Sequence, residues 1–566
     1  MPPFAAPPPI QVENTESTIF RQVWPLLVAF ALLRLAFWLT AFPNPDEAYY
    51  WLWGQHLDWS YYDHPPLQAW IQALFTAALG RSQFTLRLPN LLTNALFFFT
   101  NYRICRYLYG QQAKTAFWLV VALILASPLY FVFLALAWHD HLLVTLTLMA
   151  GYQFVRFADR YVADGSGESK RLYATGLLLG LAGLSKYNAV FVLAGLGAAI
   201  AFHPQLRKLL SDRRLYLSLG LAAIAFVPVL VWNVLNDWQS FQYYVSRSVD
   251  AGTATGLHLK PFEPVGFWLF SVLLLSPITV GLIFQILQGA IAAYRRYVLP
   301  ILSPSWCNRC SFSDSEKPES LAAANTNQVN SSLYGWVALW VFVVPTVSLS
   351  LIALFSTALY YWNIMAYPLL FPLLPPLLLR KQAGTPRLRQ CFWLGQGYGL
   401  LLASLVVFHY SVLPLSALLS QEATVDADTR MLYGWEQVAA AVQPQVEDLG
   451  AGFLATTDYR SASALAYVLN QPAVFALSDR RDQFDIWAAR TDLSGQSALL
   501  LWDDWHPLTS KMRSHFASFG PVQTVTVTRL GVLIKRYYFS RVSVSAKISI
   551  SSGLALPCTV STEQSA

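Results

Sequence analysis

The chain has 566 residues, of which 55% are hydrophobic and only 12% are charged, and its mean hydropathy is +0.41. This composition excludes an ordinary soluble globular protein and indicates a multi-spanning membrane protein. A net charge of +7 would also fit a nucleic-acid-binding protein, but the basic residues fall in short clusters between apolar segments, as membrane orientation requires. We therefore expect membrane lipids, and no nucleic acid, among its partners. The five cysteines form no even framework, so no disulfide scaffold is predicted.

The N-terminal segment predicts the start of a membrane domain. Residues 1–20 are rich in proline and polar residues, and we expect them to be a disordered cytoplasmic N-terminus. The apolar segment Val23–Phe42 is long enough to cross a bilayer and carries Arg34. Arg34 either extends to the membrane face or pairs with an acidic group there. The next segment, Asn44–Gln68, concentrates acidic residues, histidines and aromatic residues and contains no Lys or Arg.

The remaining apolar segments predict an all-α, multi-spanning membrane domain over residues 21–412 with about 11 to 13 transmembrane helices. Pro66–Gly80 is too short to span and is predicted as an interfacial helix in the first outer loop. Every predicted inner loop is basic, which predicts that the N-terminus lies in the cytoplasm. We expect the protein to lie in the plasma (inner) membrane. The named later spans are Leu88–Tyr102, Ala116–Leu134, Leu142–Phe157, Leu172–Leu184, Ala189–Phe202, Leu215–Leu235, Leu333–Phe355, Asn363–Leu379 and Cys391–Val412.

An odd number of spans places residues 413–545 outside the cytoplasm, together with the first outer loop. Helical and strand-like patterns alternate there and predict a small C-terminal α/β domain on the outer side. The predicted elements are a helix near Trp435–Leu449, strands at Gly452–Thr456, Ala473–Leu477 and Ala498–Trp502, and an alternating pair near Val522–Phe539. Residues 546–566 are predicted to be a flexible tail.

The sequence Asn44-Pro45-Asp46-Glu47 predicts a helix start beside the membrane. Asn44 suits the N-cap, Pro45 the first helical position, and Glu47 the acidic position of a capping box. Capping therefore accounts for Glu47 without a catalytic role, although that role stays open. It does not account for Asp46, whose carboxylate would be tuned for base catalysis by desolvation.

Three further groups of ionisable residues are candidates for chemistry. Asp63 and His64 are held by two following prolines and would bind a metal or a phosphate, unless they form only a polar turn. His258, in a later outer loop, would join them or be solvated. The other groups, each of which also has a purely structural reading, are His139-Asp140-His141 at an outer turn and Lys186 between two short spans, where it would extend to the interface or bind an anionic lipid headgroup.

Four motifs, DEAYYW, YYDHPPL, AWHDHLL and GLAGLSKYN, together resemble those of the GT-C type membrane glycosyltransferases. The resemblance is to the bacterial branch related to protein O-mannosyltransferases and lipid A aminoarabinose transferases, and covers about residues 20–380. The C-terminal segments Tyr433–Trp435, Thr457–Arg460 and Asp482–Trp487 also resemble the outer domain of bacterial members. Such enzymes transfer a sugar from a polyprenyl phosphate to an acceptor on the outer face.

The resemblance implies roles for residues of this chain. Asp46 matches the base, with Glu47 beside it, and Asp140 the second acidic catalytic position. Lys186 would bind the donor phosphate, with His64 and Arg34 as further cations. The implied substrate-binding residues are Tyr49, Tyr50, Tyr62 and His139. Aminoarabinose transferases have Glu-Lys where this chain has Asp63-His64, which argues against aminoarabinose as the sugar.

The predicted function is therefore transfer of a sugar from a polyprenyl-phosphate donor to a lipid, glycan or protein acceptor, with inversion at the anomeric carbon. No cofactor is required by this reading, and a divalent metal at Asp63 and His258 is left open. The alternatives are a polytopic transporter or lipid flippase, which predicts inverted repeats and broken helices near the midplane, an oligosaccharide transferase or polymerase, and a non-catalytic scaffold.

Overall fold

The computed structural model describes residues 15–249, 259–297, 326–379, 385–420, 422, 425–448, 452–478, 480–488 and 493–545. These residues are mostly helical. In chain order the α-helices are α1 (Thr15–Thr40), α2 (Pro45–Gln55), α3 (Leu67–Leu79), α4 (Gln83–Arg87), α5 (Pro89–Tyr109), α6 (Ala113–Leu125), α7 (Pro128–Phe133), α8 (Asp140–Asp164), α9 (Ser169–Ser185), α10 (Ala189–Phe202), α11 (Arg213–Leu235), α12 (Gln239–Val249), α13 (Glu263–Leu275), α14 (Pro277–Tyr297), α15 (Thr326–Ala353), α16 (Pro375–Leu379), α17 (Thr385–Ser411), α18 (Ser416–Leu419), α19 (Ala427–Arg430), α20 (Trp435–Glu447), α21 (Tyr459–Leu469), α22 (Gln483–Ala488) and α23 (Ser510–Arg513).

The chain divides into two compact units, and the division does not follow the chain order. The first, called here the helical unit, comprises residues 1–39, 64–71 and 87–406. The second, called here the mixed unit, comprises residues 40–63, 72–86 and 407–566. The N-terminal part of the acidic, aromatic segment therefore belongs to the same unit as the C-terminal sheet.

Several helices of the chain have the length and composition of membrane spans. Among the described residues, five helices are long and apolar enough to cross a membrane, and seven spans result if each of two bent helix pairs counts as one. The predicted total of about 11 to 13 spans stays a prediction. α3 and α10 are apolar but shorter, and α3 lies where an interfacial helix is predicted.

Two apolar segments of the helical unit are broken, and one of them is predicted as a continuous span. α13 and α14 meet at an angle of 103° where Ser276, with a φ of 84°, precedes Pro277. The predicted span Asn363–Leu379 consists of short 3₁₀ and α segments with a bend of 61°. Its four prolines lack the amide hydrogen that a continuous helix requires, which explains the break.

In the helical unit, α9 packs closely against α11. Gly176 and Gly180 of α9 face α11, and a Cβ atom at Gly176 would overlap the carbonyl oxygen of Ser218. Small residues of this kind let two helix backbones approach closely in membrane proteins. The large apolar core around these helices includes Leu143, Leu148 and Val192.

The mixed unit contains a six-stranded sheet whose strands are β1 (Phe453–Thr456), β2 (Val474–Ala476), β3 (Ser497–Asp503), β4 (Phe516–Phe519), β5 (Gln523–Arg529) and β6 (Val532–Val544). The order is β2-β1-β3-β6-β4, and β5 also pairs with β6. β1, β2 and β3 are parallel, whereas β6 is antiparallel to its neighbours. Every predicted strand is present, while β4 and α21 are additional elements.

The Tyr433-Gly434-Trp435 motif lies at the start of α20, and its glycine position is sterically restricted. Gly434 has a φ of 90°, and a Cβ atom there would overlap the side chain of Val527. The ring of Trp435 stacks on that of Phe42 at 6.3 Å between centroids. Through this ring contact, the start of α20 packs against the segment that precedes α2.

Candidate active site

A buried ion pair joins Lys186 to Asp140 in the helical unit. The Nζ atom of Lys186 lies 2.8 Å from Oδ1 of Asp140, and the two residues are 3% and 0% exposed. Lys186 adopts an extended conformation directly after α9, and Asp140 is the first residue of α8. The hydroxyl of Ser185 donates to the carbonyl oxygen of His139 at 2.7 Å and holds these two helix ends together. The predicted break between two short helices therefore delivers the lysine to a carboxylate.

Two histidines and two tyrosines extend this pair. Nε2 of His139 lies 3.4 Å from Oδ2 of Asp140, and the ring of His64 lies 4.1 Å from that of His139 between centroids. Nδ1 of His64 makes a short hydrogen bond with the hydroxyl of Tyr244 on α12. The ring of Tyr361 lies 5.0 Å from Nζ of Lys186. We call these six residues the Lys186 cluster: His64, His139, Asp140, Lys186, Tyr244 and Tyr361.

The geometry favours a positioning role for Asp140. One of its oxygens contacts an ammonium and the other faces an imidazole. Lys186 has three N–H donors, so its bond to Asp140 is compatible with a second bond to an anionic group. Removal of either partner of a buried ion pair leaves the other charge buried without compensation and destabilises the protein. Direct participation of Asp140 in catalysis stays a prediction.

Arg34 and His141 form hydrogen bonds in the helical unit with residues outside the Lys186 cluster. Nη2 of Arg34 donates to the carbonyl oxygens of Tyr130 and Phe131 at 3.3 and 3.2 Å, and its guanidinium lies 5.4 Å from the Phe131 ring. Nδ1 of His141 is 2.8 Å from the hydroxyl of Thr93. The observed contacts thus tie Arg34 to α7 rather than to the Lys186 cluster.

The start of α2, in the mixed unit, has the predicted capping box. The Asn44 amide donates to Oε2 of Glu47 at 2.8 Å, the Asn44 side chain accepts from the Asp46 amide at 3.0 Å, and Pro45 occupies the first turn. Glu47 is 0% exposed. Its carboxylate is therefore engaged in holding the helix start, and a catalytic role for it stays a prediction.

Asp46, the next carboxylate on this turn, has different surroundings. It is half-buried, and burial raises its pKa to about 6, an effect that Arg460 and Arg480 oppose and that Asp428 and Asp63 reinforce. Within the described ranges, no hydrogen bond from another residue to the Asp46 carboxylate is seen. A carboxylate with a pKa of about 6 is largely ionised at neutral pH yet accepts a proton more readily than an ordinary aspartate.

Asp63 anchors the end of the same segment. Its Oδ1 atom forms a short ion pair with Arg480, and its Oδ2 atom accepts from the Tyr49 hydroxyl at 2.9 Å. The amide of Gln483 donates to that hydroxyl at 3.0 Å, and its side chain accepts from the Tyr62 amide at 2.8 Å. We call these five residues the Asp63 network: Tyr49, Tyr62, Asp63, Arg480 and Gln483.

The predicted substrate-binding tyrosines take part in packing. Tyr49, Tyr50 and Tyr62 are buried, and the Tyr49 ring stacks on that of Phe484 at 5.8 Å. No site role is predicted from the sequence for Tyr244, Tyr361, Arg460, which ends the Thr457–Arg460 segment named above, or Arg480. The first two lie in aromatic stretches without a motif. The Arg480-Arg481-Asp482 run was an available signal for the last.

The metal prediction is not tested by these contacts. His258 lies outside the described residues. In the part of the chain that the structure describes, no group of three or more His, Cys, Asp or Glu side chains is arranged to hold a metal ion. Asp63 bonds to an arginine and a tyrosine instead.

Comparisons with known proteins match the segment that holds four of the six residues of the Lys186 cluster. The family model described as dolichyl-phosphate-mannose-protein mannosyltransferase matches residues 63–232, which include His64, His139, Asp140 and Lys186. Lipid A galacturonosyltransferase RgtD of Rhizobium johnstonii is 26% identical over 203 residues, which are 34% of this chain and 38% of the relative. The alignment thus spans well under half of the relative's length.

The fold comparison extends over nearly the whole chain. The crystal structure of ArnT from Cupriavidus metallidurans bound to undecaprenyl phosphate superposes with a TM-score of 0.52 and 13% identity, covering 95% of this chain and 99% of that protein. At this identity the match shows a shared fold. Residues 63–232 of this chain are therefore similar to the dolichyl-phosphate-mannose-protein mannosyltransferases, part of the chain is similar to a lipid A galacturonosyltransferase, and the chain shares the fold of ArnT.

Proposed function

We propose that the protein transfers a sugar from a polyprenyl-phosphate donor to a lipid acceptor on the outer face of the plasma membrane. The observation that carries the proposal is the buried pair of Lys186 and Asp140, which lies within the segment matched by the mannosyltransferase model. The relative is named for transfer to lipid A, and the ArnT crystal structure contains undecaprenyl phosphate. These names support a polyprenyl-phosphate donor, and the name of the relative favours a lipid acceptor, whereas the description of the family model names a protein acceptor.

Lys186 is the proposed ligand of the donor phosphate. The phosphate of such a donor is already a good leaving group, so the protein has mainly to hold it, orient it and exclude water. An ammonium fixed by Asp140 stabilises the negative charge that grows on the phosphate as the glycosidic bond breaks. His64 contributes a weaker cation, because its imidazole is charged only when protonated. Arg34 is proposed to act indirectly, through its bonds to α7.

Asp46 is the proposed general base. Its carboxylate would take the proton from the acceptor hydroxyl while that oxygen attacks the anomeric carbon and the polyprenyl phosphate departs. A single displacement of this kind inverts the anomeric configuration. The pKa of about 6 that burial produces supports this role, because a base works best when its pKa is near the working pH.

The test is a comparison of membrane lipids from cells that express the wild type, Asp46→Asn, Asp58→Asn or no copy of the protein. Lipid extracts, and glycans and proteins from the same cells, are analysed by mass spectrometry for one sugar-modified species that depends on the wild type. We expect Asp46→Asn to reduce this species by about 10² to 10⁴-fold. Asp58→Asn, which removes another carboxylate of the same segment, should keep it.

The result that would overturn the base assignment is full transfer by Asp46→Asn protein inserted at wild-type level. If no lipid, glycan or protein gains a sugar with the wild type, the transferase proposal itself fails. The mass difference between the species with and without the protein gives the class of the sugar, and the molecule that carries it names the acceptor.

One structural feature also fits the transporter alternative. The breaks at Ser276-Pro277 and within Tyr360–Leu379 are of the kind that transporters use to build substrate sites. A transporter would move a lipid-linked sugar across the membrane without forming a new glycosidic bond. Wild-type activity that produces no covalently modified acceptor, yet exposes a lipid-linked sugar outside, would favour that function.

A further inference from the structure

A polar cavity lies in the helical unit, between α5 and α8. It has a volume of about 390 Å³ and is lined by Arg103, Arg106, Tyr107, Tyr152 and Arg156. The first three residues share one face of α5, and the last two are one turn apart on α8. α5 contributes no residue to the Lys186 cluster, and α8 contributes Asp140, which precedes Tyr152 by 12 residues, so the cavity and the cluster are lined by different side chains.

The cavity combines three guanidinium groups with two phenol rings. Nη1 of Arg156 donates to the Tyr152 hydroxyl at 3.2 Å, and its guanidinium lies 5.0 Å from the Tyr107 ring. These contacts hold Arg156 half-buried between the two rings. Arg103 and Arg106 are exposed at the entrance. The arrangement thus has one fixed cation and two accessible ones.

The charge of this cavity is only partly neutralised by the protein. Among the described residues, no carboxylate lines it. Asp159, one turn further along α8, interacts with Tyr107 and Arg156 and offsets one of the three positive charges. Three cations that converge on one space repel each other, and an anion with several oxygen atoms would remove that repulsion.

A neighbouring basic cavity differs in this respect. It is lined in part by Asp212, Arg213 and Arg214. Nη2 and Nε of Arg214 bond to the Asp212 carboxylate at 2.6 and 2.9 Å, so that cavity contains its own anion. Both cavities are rich in arginine and lie on the predicted cytoplasmic side, as the positive-inside pattern requires. Orientation alone therefore does not account for a cavity that lacks a carboxylate.

We infer that the cavity between α5 and α8 binds the phosphate group of an anionic molecule at the cytoplasmic membrane surface. Arginine forks match phosphate oxygens in geometry and charge, and the Tyr152 hydroxyl, which accepts from Arg156, keeps its own hydrogen as a donor. Basic pockets between transmembrane helices on the cytoplasmic side are suited to anionic lipid headgroups. The same chemistry would accept free inorganic phosphate, and the experiment separates these two sources.

The test uses the full-length wild type, the double variant Arg103→Gln/Arg106→Gln and the control Arg213→Gln, all purified in a non-ionic detergent. Each protein is titrated with phosphatidic acid, phosphatidylcholine and inorganic phosphate, and bound molecules are counted by native mass spectrometry. We expect the wild type to bind phosphatidic acid in preference to phosphatidylcholine. Removal of each arginine should weaken that binding by about fivefold.

The control decides between a built site and general attraction to a basic surface. Arg213→Gln removes an exposed arginine from the cavity that contains Asp212, and should bind phosphatidic acid like the wild type. Equal losses in the control and the double variant would overturn the inference, as would unchanged binding in the double variant. Saturation by inorganic phosphate with no lipid binding would support the phosphate site and name free phosphate as its ligand. Thermal unfolding without lipid checks that the variants are folded.

Discussion

The Lys186 cluster and the carboxylates around Asp46 place acidic groups in opposite environments. Asp140 is fully buried and its charge is balanced at 2.8 Å by a lysine. Asp46 is half-buried, and burial raises its pKa to about 6 despite two nearby arginines. A balanced, enclosed carboxylate is suited to fixing a cation in place. A desolvated but accessible one is suited to accepting a proton.

The two regions also differ in how their residues reach them. The Lys186 cluster collects side chains from α8, the end of α9, α12 and the segment before α3. The Asp46 and Asp63 positions belong to one short segment, which the C-terminal residues Arg480 and Gln483 bind. The first region therefore depends on helix packing, and the second on the α/β unit that follows the last helices.

The largest expected effect is the loss of one partner of the buried pair. Lys186→Met or Asp140→Asn leaves a charge or polar group buried without compensation and should destabilise the protein by about 3 to 5 kcal/mol. The double variant Asp140→Asn/Lys186→Met should recover most of this stability but no transfer. Thermal unfolding of the purified protein measures the first effect, and lipid analysis the second.

The exposed pair of Arg160 and Glu168 provides the control for that prediction. Its atoms are 3.1 Å apart, but the arginine side chain is 57% exposed. Arg160→Gln should change the free energy of unfolding by less than about 1 kcal/mol. Similar losses in both pairs, or transfer by the double variant, would contradict the distinction drawn for Lys186.

The pH dependence of transfer should report the ionisation of Asp46. Below its pKa of about 6 the carboxyl is protonated and cannot act as a base, so kcat/KM should fall about tenfold per pH unit and level off at higher pH. Arg460 lowers this pKa, so Arg460→Gln should move the acidic limb to higher pH. Arg529→Gln, elsewhere in the mixed unit, should not. A limb that stays in place in Arg460→Gln would assign it to another group.

Disruption of the Asp63 network should have an intermediate effect. Asp63→Asn removes the charge that faces Arg480 but keeps an acceptor for Tyr49, so we expect a loss of about 1 to 3 kcal/mol in the free energy of unfolding. Arg480→Gln should cost a similar amount, and the two losses should not add. The neighbouring exposed Arg481 serves as the control, since Arg481→Gln should leave stability nearly unchanged. Additive losses would show that Asp63 and Arg480 act independently.

The smallest effect is expected at Glu47. Glu47→Gln keeps an N3 acceptor for the Asn44 amide, so both stability and transfer should be retained. Glu47→Ala removes the capping bond and should cost about 1 kcal/mol of stability. Loss of transfer in Glu47→Gln with unchanged unfolding would instead reveal a catalytic carboxylate.

Local patterns account for the parts of the fold that the sequence predicts well. The capping box at Asn44–Glu47 depends on four consecutive residues, and the hairpin of β5 and β6 on alternation around the Leu530-Gly531 turn. The predicted span Asn363–Leu379 is broken, because hydropathy does not register the missing amide hydrogen of proline.

The sequence by itself determined the membrane class, the glycosyltransferase resemblance and the candidates Asp46, His64, Asp140 and Lys186, because each depends on composition or on a contiguous motif. Only the tertiary structure decided which charges meet. Lys186 pairs with a residue 46 positions away and Asp63 with one 417 positions away, and Arg34 binds backbone oxygens. Such contacts depend on packing between residues that are far apart in the sequence. In the acidic segment, Glu47 caps a helix, burial raises the pKa of Asp46, and Asp63 pairs with Arg480.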